Sequence, residues 1–141
     1  MPSNEKLLIL AAGLQVLLTF VVMMRMAAAR FAALKGREVR LSEVALDMRN
    51  YPERMHKLQN NLVNQFETPV MFYAVIAVAL AAGLESMSLV LLAYLWLASR
   101  AVHMAIHTGS NNVMRRFRAF VVGLVVLVLM WVVVVVGAFL G

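Results

Sequence analysis

Four long apolar stretches, each without a charged side chain, make up about half of this 141-residue chain. They cover residues 7–24, 68–84, 87–99 and 119–141. A helix that crosses the hydrocarbon core of a bilayer needs about 20 mostly apolar residues. The first and last stretches reach that length alone, and the middle two reach it by extending into their polar flanks. The pattern predicts an all-α integral membrane protein, a four-helix antiparallel bundle.

Composition agrees with this class, because 63% of the residues are hydrophobic and 14% are charged. Soluble domains carry about 45–50% apolar and about 25% charged residues. The sequence has no cysteine, which excludes disulfides, thiolate metal sites and cysteine nucleophiles. We predict one membrane domain over residues 1–141, with a connector at about 36–51 and spans at about 6–34, 53–83, 87–108 and 115–140.

The basic residues predict how the bundle is oriented. Of the 13 lysines and arginines, eight lie between Arg25 and Lys57, and four more flank the connection between the third and fourth spans. By the positive-inside rule, both connections face the cytoplasm and both termini face away from it, in a membrane of bacterial inner-membrane type. We expect membrane lipid as a partner and no nucleic acid, because no basic stripe with interleaved aromatic residues exists outside these flanks.

Polar residues on the second span form one predicted stripe. Asn60, Asn64 and Glu67 are spaced four and three apart, which places them on one face of a continuous helix. A charged residue at the bilayer centre costs at least about 2.5–3.5 kcal/mol, so Glu67 is expected to face the bundle interior with a partner. Pro69 follows and is expected to kink the helix. The alternative role for the stripe is hydrogen bonding between helices.

The third span carries a matching polar face. Arg100, His103 and His107 are spaced three and four apart, so they share one side of a helix. These groups could pair with Glu67, bind an anion or, for Arg100, extend to the membrane interface. Two histidines four apart can also ligate a metal or lie beside a haem, but no third ligand accompanies them, so no metal is predicted.

Two segments, the first connector and the start of the fourth span, each allow a structural and a functional interpretation. The connector at 36–51 is either a solvated link whose apolar residues rest on the bundle or a short lid over a site. Residues 115–118, which include Arg116, are either the usual basic collar of a span or an anion-binding cluster at a helix N-terminus.

Read together, these segments resemble the membrane-associated proteins in eicosanoid and glutathione metabolism, the MAPEG superfamily. That family includes the microsomal glutathione transferases and the leukotriene and prostaglandin synthases. Its second helix carries Arg-x-x-x-Asn-x-x-Glu followed by proline, which resembles the stretch from Asn60 to Pro69. Its third helix carries an arginine, a histidine or tyrosine and usually a tyrosine, and a further arginine opens the fourth; the similar residues here are Arg100, His103, His107 and Arg116.

The resemblance implies a homotrimer with glutathione sites at the subunit interfaces, open to the cytoplasm. Asn64 and Glu67 would then hold the amine and amide groups of glutathione, and Arg100 would contact a carboxylate. Asn60 and His103 complete the implied cosubstrate-binding set. Arg116 would stabilise the thiolate, with His107 as the second catalytic residue. A nearby cation favours this chemistry because it lowers the pKa of a thiol.

Two positions depart from the family pattern. Asn60 replaces the leading arginine of the motif, which removes a charge partner for a carboxylate, and His107 replaces the usual tyrosine. The expected function is a glutathione-dependent transferase or peroxidase that acts on a lipophilic electrophile. The alternatives are a non-catalytic member that binds a lipid or an anion or serves a larger membrane complex, and a carrier or proton pathway that uses Glu67 and the histidines.

Overall fold

The computed structural model describes residues 3–45 and 47–140, and the regular secondary structure of this part of the chain is all helical, without a strand. It contains a 3₁₀ turn, Met48–Asn50, and six helices: α1 Asn4–Lys35, α2 Leu41–Val44, α3 Glu53–Asn64, α4 Thr68–Ala82, α5 Met87–Thr108 and α6 Val113–Leu140. Helices α3 and α4 together make one span. The four resulting segments are each long and apolar enough to cross a membrane, which confirms the predicted fold class.

Helix α1 contributes a narrow core face and a wide apolar exterior. Its buried residues include Leu8, Ala11, Gln15 and Val22, whose spacing keeps them on one stripe of the helix. Bulky residues elsewhere on the helix, such as Phe31, are exposed. Apolar side chains on the outside of a bundle suit lipid as the surrounding solvent, because lipid tails are as apolar as the side chains themselves.

The centre of the bundle is formed where α4, α5 and α6 meet. Phe72 of α4 stacks on Trp96 of α5, with ring centroids 4.0 Å apart and planes at 10°. Gly123 allows α6 to approach α5 closely, since a Cβ at this position would lie 2.7 Å from Ser99 Oγ. The Ser99 hydroxyl donates a hydrogen bond to the carbonyl oxygen of Trp96 at 2.6 Å. This tight pair of helices holds the polar end of α5 against the start of α6.

The second span breaks between α3 and α4. Helix α3 ends at Asn64, α4 begins at Thr68, and the backbone of Glu67 between them is non-helical, with φ −95° and ψ −98°. Pro69 explains the break, because its ring clashes with the carbonyl four residues earlier, that of Gln65, and it offers no N–H. The sequence predicted a kink, but the continuous stripe inferred from Asn60 to Glu67 is wrong, since Glu67 lies outside α3.

The connector packs on the ends of α1 and α3. Val39, Val44 and Tyr51 form a small apolar cluster with Ala33 and Met55. An ion pair also joins the start of α3 to the connector: Arg54 Nη2 lies 2.6 Å from Glu38 Oε1. These contacts agree with a connector that rests on the bundle.

Candidate functional site

A cavity of about 340 Å³ opens at the end of the bundle that carries both basic connections, which we call the basic end. It lies where α3, the break in the second span, α5 and α6 meet. Six of the seven predicted site residues line it, and Arg100 is not among the lining residues. The lining residues are Asn60, Asn64, Glu67, His103, His107, Val113, Arg116, Phe117 and Phe120.

The second span supplies two amides and a carboxylate to the cavity. Asn64 Nδ2 donates to the carbonyl oxygen of Asn60 at 2.9 Å, so that amide is held against its own helix. Glu67 is exposed and forms no ion pair with any residue the structure describes. Glu67 was expected to face the interior with a partner; it lines the cavity, but without an ion pair to any residue that the structure describes. Arg100 of the same chain is close enough to attract this carboxylate electrostatically, although the two side chains form no ion pair.

Arg100 does not line the cavity; its side chain forms a hydrogen bond at the break in the second span. Its side chain is 3% exposed, and Nη2 donates to the carbonyl oxygen of Asn64 at 3.0 Å. Its guanidinium also lies 5.8 Å from the ring centroid of Trp96. The break leaves the last carbonyls of α3 without helical partners, and a buried carbonyl must be satisfied. Pairing of Arg100 with Glu67 is not observed, and its expected contact with a glutathione carboxylate gains no support from this arrangement.

The two histidines of α5 are stacked along the wall of the cavity. Their ring centroids are 5.6 Å apart with planes at 8°, and His103 also meets the ring of Phe120 edge-on at 5.9 Å. Arg100 Nη1 lies 3.3 Å from His103 Nδ1, and because arginine can only donate, this nitrogen accepts and the His103 proton lies on Nε2. Both ring nitrogens of His107 are buried without a hydrogen-bond partner among the described residues.

The loop between α5 and α6 holds the side chain of Arg116, the positively charged residue of the cavity, in place. Arg116 Nη1 donates to Asn111 Oδ1 at 2.9 Å, and Asn111 adopts a left-handed backbone with φ 49°, a conformation that asparagine tolerates. Asn112 Oδ1 accepts from the backbone N–H of Arg115 at 3.0 Å and caps α6. The sequence analysis did not identify the contact of Asn111 with Arg116. The asparagine-rich composition of the loop was the available signal.

The sequence model of the MAPEG family matches residues 8–136, nearly the whole chain. This chain belongs to the MAPEG family. No curated protein and no solved structure shows significant similarity to it. Membership in this family agrees with an integral membrane protein. It does not specify an activity, because MAPEG proteins include glutathione transferases and also members without catalytic activity.

In this MAPEG chain, both departures from the motif lie on the cavity wall. Asn60 and His107 line the same space as Arg116. Asn60 presents an amide where the family motif has a guanidinium, so Arg116 is the one arginine among the described lining residues. The cavity therefore combines one cation, one carboxylate, two amides and two imidazoles.

Aromatic residues of α6 give the cavity an apolar side that the sequence analysis did not identify. Val113 and Phe117 are exposed, and Phe120 is half-buried against His103. These side chains lie in the first turns of α6, one turn or less from Arg116 along the chain. The sequence offered a signal for Phe117, because it is an aromatic residue between two arginines, which makes this segment at the membrane boundary amphipathic. The arrangement places an apolar surface next to the polar groups.

Proposed function

We propose that the cavity binds glutathione and that the protein is a membrane-bound transferase or peroxidase acting on a lipophilic electrophile. The observation that supports this proposal is the convergence of Arg116, His107 and Glu67 in one cavity with an apolar side. Polar groups for a charged peptide and an apolar surface for a lipid-derived molecule are both required by this reaction. Cavities with a few convergent polar groups are the usual location of such sites.

The chemical groups of glutathione complement those of the cavity. Glu67, which has no ion pair within the described chain, would accept hydrogen bonds from the ammonium group, and Asn64 would contact an amide of the peptide. Charge-assisted hydrogen bonds of this type are about twice as strong as neutral ones. Asn60 would make a neutral contact with a carboxylate. The second cation expected from the resemblance, Arg100, is engaged at the break instead.

The reaction would begin with loss of the thiol proton. Arg116 would stabilise the thiolate by its positive charge, because the thiolate rather than the thiol is the nucleophile. His107, with two unpartnered ring nitrogens, is the group in the cavity suited to accept the proton. The thiolate would then attack the electrophilic carbon, forming a carbon–sulfur bond as the bond to the leaving group breaks. In the peroxidase reaction, it would instead attack the terminal oxygen of a hydroperoxide, so that an S–O bond forms as the O–O bond breaks. The alkoxide would take up the proton and leave as an alcohol, and the glutathione sulfenic acid would react with a second glutathione to give the disulfide and water.

We further propose that the protein acts as a homotrimer with its sites at subunit interfaces. The exposed carboxylate of Glu67 supports this arrangement, because a neighbouring copy would remove it from lipid. The many exposed apolar residues of the spans leave room for contacts between copies. Native mass spectrometry of protein released from lipid nanodiscs counts the copies, and a monomer would contradict the proposal.

One observation favours a second function, a non-catalytic protein that binds an anion or a lipid headgroup. Arg116 is the one arginine among the described lining residues. Glutathione carries two carboxylates and, when activated, a thiolate, so a single guanidinium leaves some of these negative charges without a cation. Such a protein would serve as a binding module or as an accessory subunit of a larger membrane complex. Purification with a stoichiometric partner and without thiolate formation would support this second function.

Thiolate formation separates the two functions. Purified protein is mixed rapidly with glutathione, and the ultraviolet absorbance of the thiolate is followed for the wild type and for Arg116→Ala. We expect a saturable signal that Arg116→Ala abolishes. Arg118→Ala is the matched control, because Arg118 lies on the same helix, is exposed and is not a lining residue. A folded wild-type protein without a signal would overturn the proposed activity.

A further inference from the structure

Three buried amide side chains lie where α1 packs on the second span, Gln15 on α1 and Asn61 and Gln65 on the second span, and we call them the amide layer. Gln15 is fully buried, Asn61 is 1% exposed and Gln65 is 2% exposed. Gln15 Nε2 donates to Gln65 Oε1 at 3.0 Å. Asn61 lies one turn before Gln65, at the end of α3 that meets the break. The sequence analysis did not identify this layer.

Four atoms of this layer have no hydrogen-bond partner among the described residues: Gln15 Oε1, Asn61 Oδ1, Asn61 Nδ2 and Gln65 Nε2. Buried polar groups in folded proteins are almost always paired, because an unpaired one loses its hydration without compensation. Exchanging the oxygen and nitrogen of the amides does not satisfy them. Flipping both glutamines merely reverses the bond between them, and both ends of the Asn61 amide are unpaired in either orientation.

The unpaired atoms indicate the chemistry of what binds them. Two are acceptors, Gln15 Oε1 and Asn61 Oδ1, and two are donors, Asn61 Nδ2 and Gln65 Nε2. A cation would suit the oxygens and oppose the N–H groups, an anion would do the reverse, and an apolar molecule would satisfy neither. Water both donates and accepts. We propose that this layer is an internal water-binding site, in which ordered water bridges α1 to the end of α3.

The position of the layer gives the water a structural role. It lies beside the break at residues 65–67, where the helix leaves backbone groups without intrahelical partners. Breaks within membrane-spanning helices are tolerated where neighbouring helices, side chains and ordered water satisfy the freed groups. Arg100 satisfies the Asn64 carbonyl on the α5 side, and on the α1 side the bound water would pair the side-chain amides next to the break. The inference does not depend on the proposed enzymatic activity.

Water-edited NMR of labelled protein in lipid bilayers tests the site directly. We expect transfer of magnetisation from water to the side-chain amides of Asn61 and Gln65, assigned by the loss of each signal in Asn61→Leu and Gln65→Leu. The exposed Asn60 amide is the positive control, and the fully buried indole of Trp96 is the negative control. Amide signals from the layer that are as silent as the indole would overturn the proposal.

Stability of apolar variants provides a second readout. Replacing one amide by leucine leaves its neighbours and the water with fewer partners, so each single variant is expected to lower the melting temperature. Replacing Gln15, Asn61 and Gln65 together by leucine removes the need for water, and this triple variant is expected to be more stable than any single one. A triple variant that is less stable than every single variant, or that fails to fold, would contradict a water-filled layer.

Discussion

At the scale of single residues, Asn60 is the position where this chain departs most from the MAPEG motif. It lines the cavity and is exposed, so a longer side chain has room there. We expect Asn60→Arg to strengthen glutathione binding, because a charge-assisted hydrogen bond to a carboxylate contributes about 1.5–3 kcal/mol. That corresponds to about one to two decades in Kd. Isothermal titration in detergent measures the change. Asn60→Gln, which adds length without charge, is the control and should show no such gain.

Asn111 is expected to act through Arg116. Its side chain accepts the guanidinium hydrogen bond at 2.9 Å, and its left-handed backbone is one that glycine adopts freely. Asn111→Gly therefore removes the contact while preserving the loop, and we expect it to weaken thiolate formation by about tenfold, the loss of one charge-assisted hydrogen bond. Ser110→Gly, at an exposed neighbouring position, is the control. Equal loss in both variants would show that loop flexibility, rather than the position of Arg116, is responsible.

At the scale of helices, the second span shows what the sequence could and could not predict. Pro69 predicted a disturbance of the helix, because the effect of proline on the preceding turn is local. It did not predict that Glu67 would lie outside both helices, since that depends on how far the backbone unwinds. The hydrogen-bond partner of Arg100 could not be predicted from the sequence either. Its side chain follows a carbonyl that becomes available only after the break has formed.

The contact between α5 and α6 gives the prediction that belongs to this scale. A Cβ at residue 123 would lie 2.7 Å from Ser99 Oγ, so Gly123→Ala either displaces the Ser99 hydroxyl from its hydrogen bond to the Trp96 carbonyl or separates the two helices. We expect a loss of about 1–3 kcal/mol in the free energy of unfolding, as for other overpacked interfaces. Ser99→Ala removes the hydroxyl and should restore most of that loss in the double variant, because the Cβ of Ser99 would lie 3.7 Å away. Denaturation in detergent measures both, and a strictly additive loss would contradict the clash.

At the scale of the whole molecule, the architecture was predicted because it rests on features that are local in sequence. Uncharged stretches of sufficient length indicate spans whatever their packing, and helical spacing places His103 and His107 on one face. The cavity itself was predicted only in part. The motif residues meet there, but the contribution of Asn111 and the buried amide layer depend on contacts between distant segments. Gln15 and Gln65, for example, are 50 residues apart.

Orientation in the membrane decides which compartment supplies the soluble cosubstrate, because the cavity lies at the basic end. The positive-inside rule predicts that this end faces the cytoplasm. The sequence has no cysteine, so a single introduced cysteine is the one thiol that a maleimide can label. In right-side-out vesicles, a membrane-impermeant maleimide should label Ser88→Cys near the α4–α5 hairpin. It should label Ser42→Cys and Ser110→Cys at the basic end only after permeabilisation, as all three positions are exposed. The reverse pattern would place the cavity on the opposite side and require a different source for a soluble thiol.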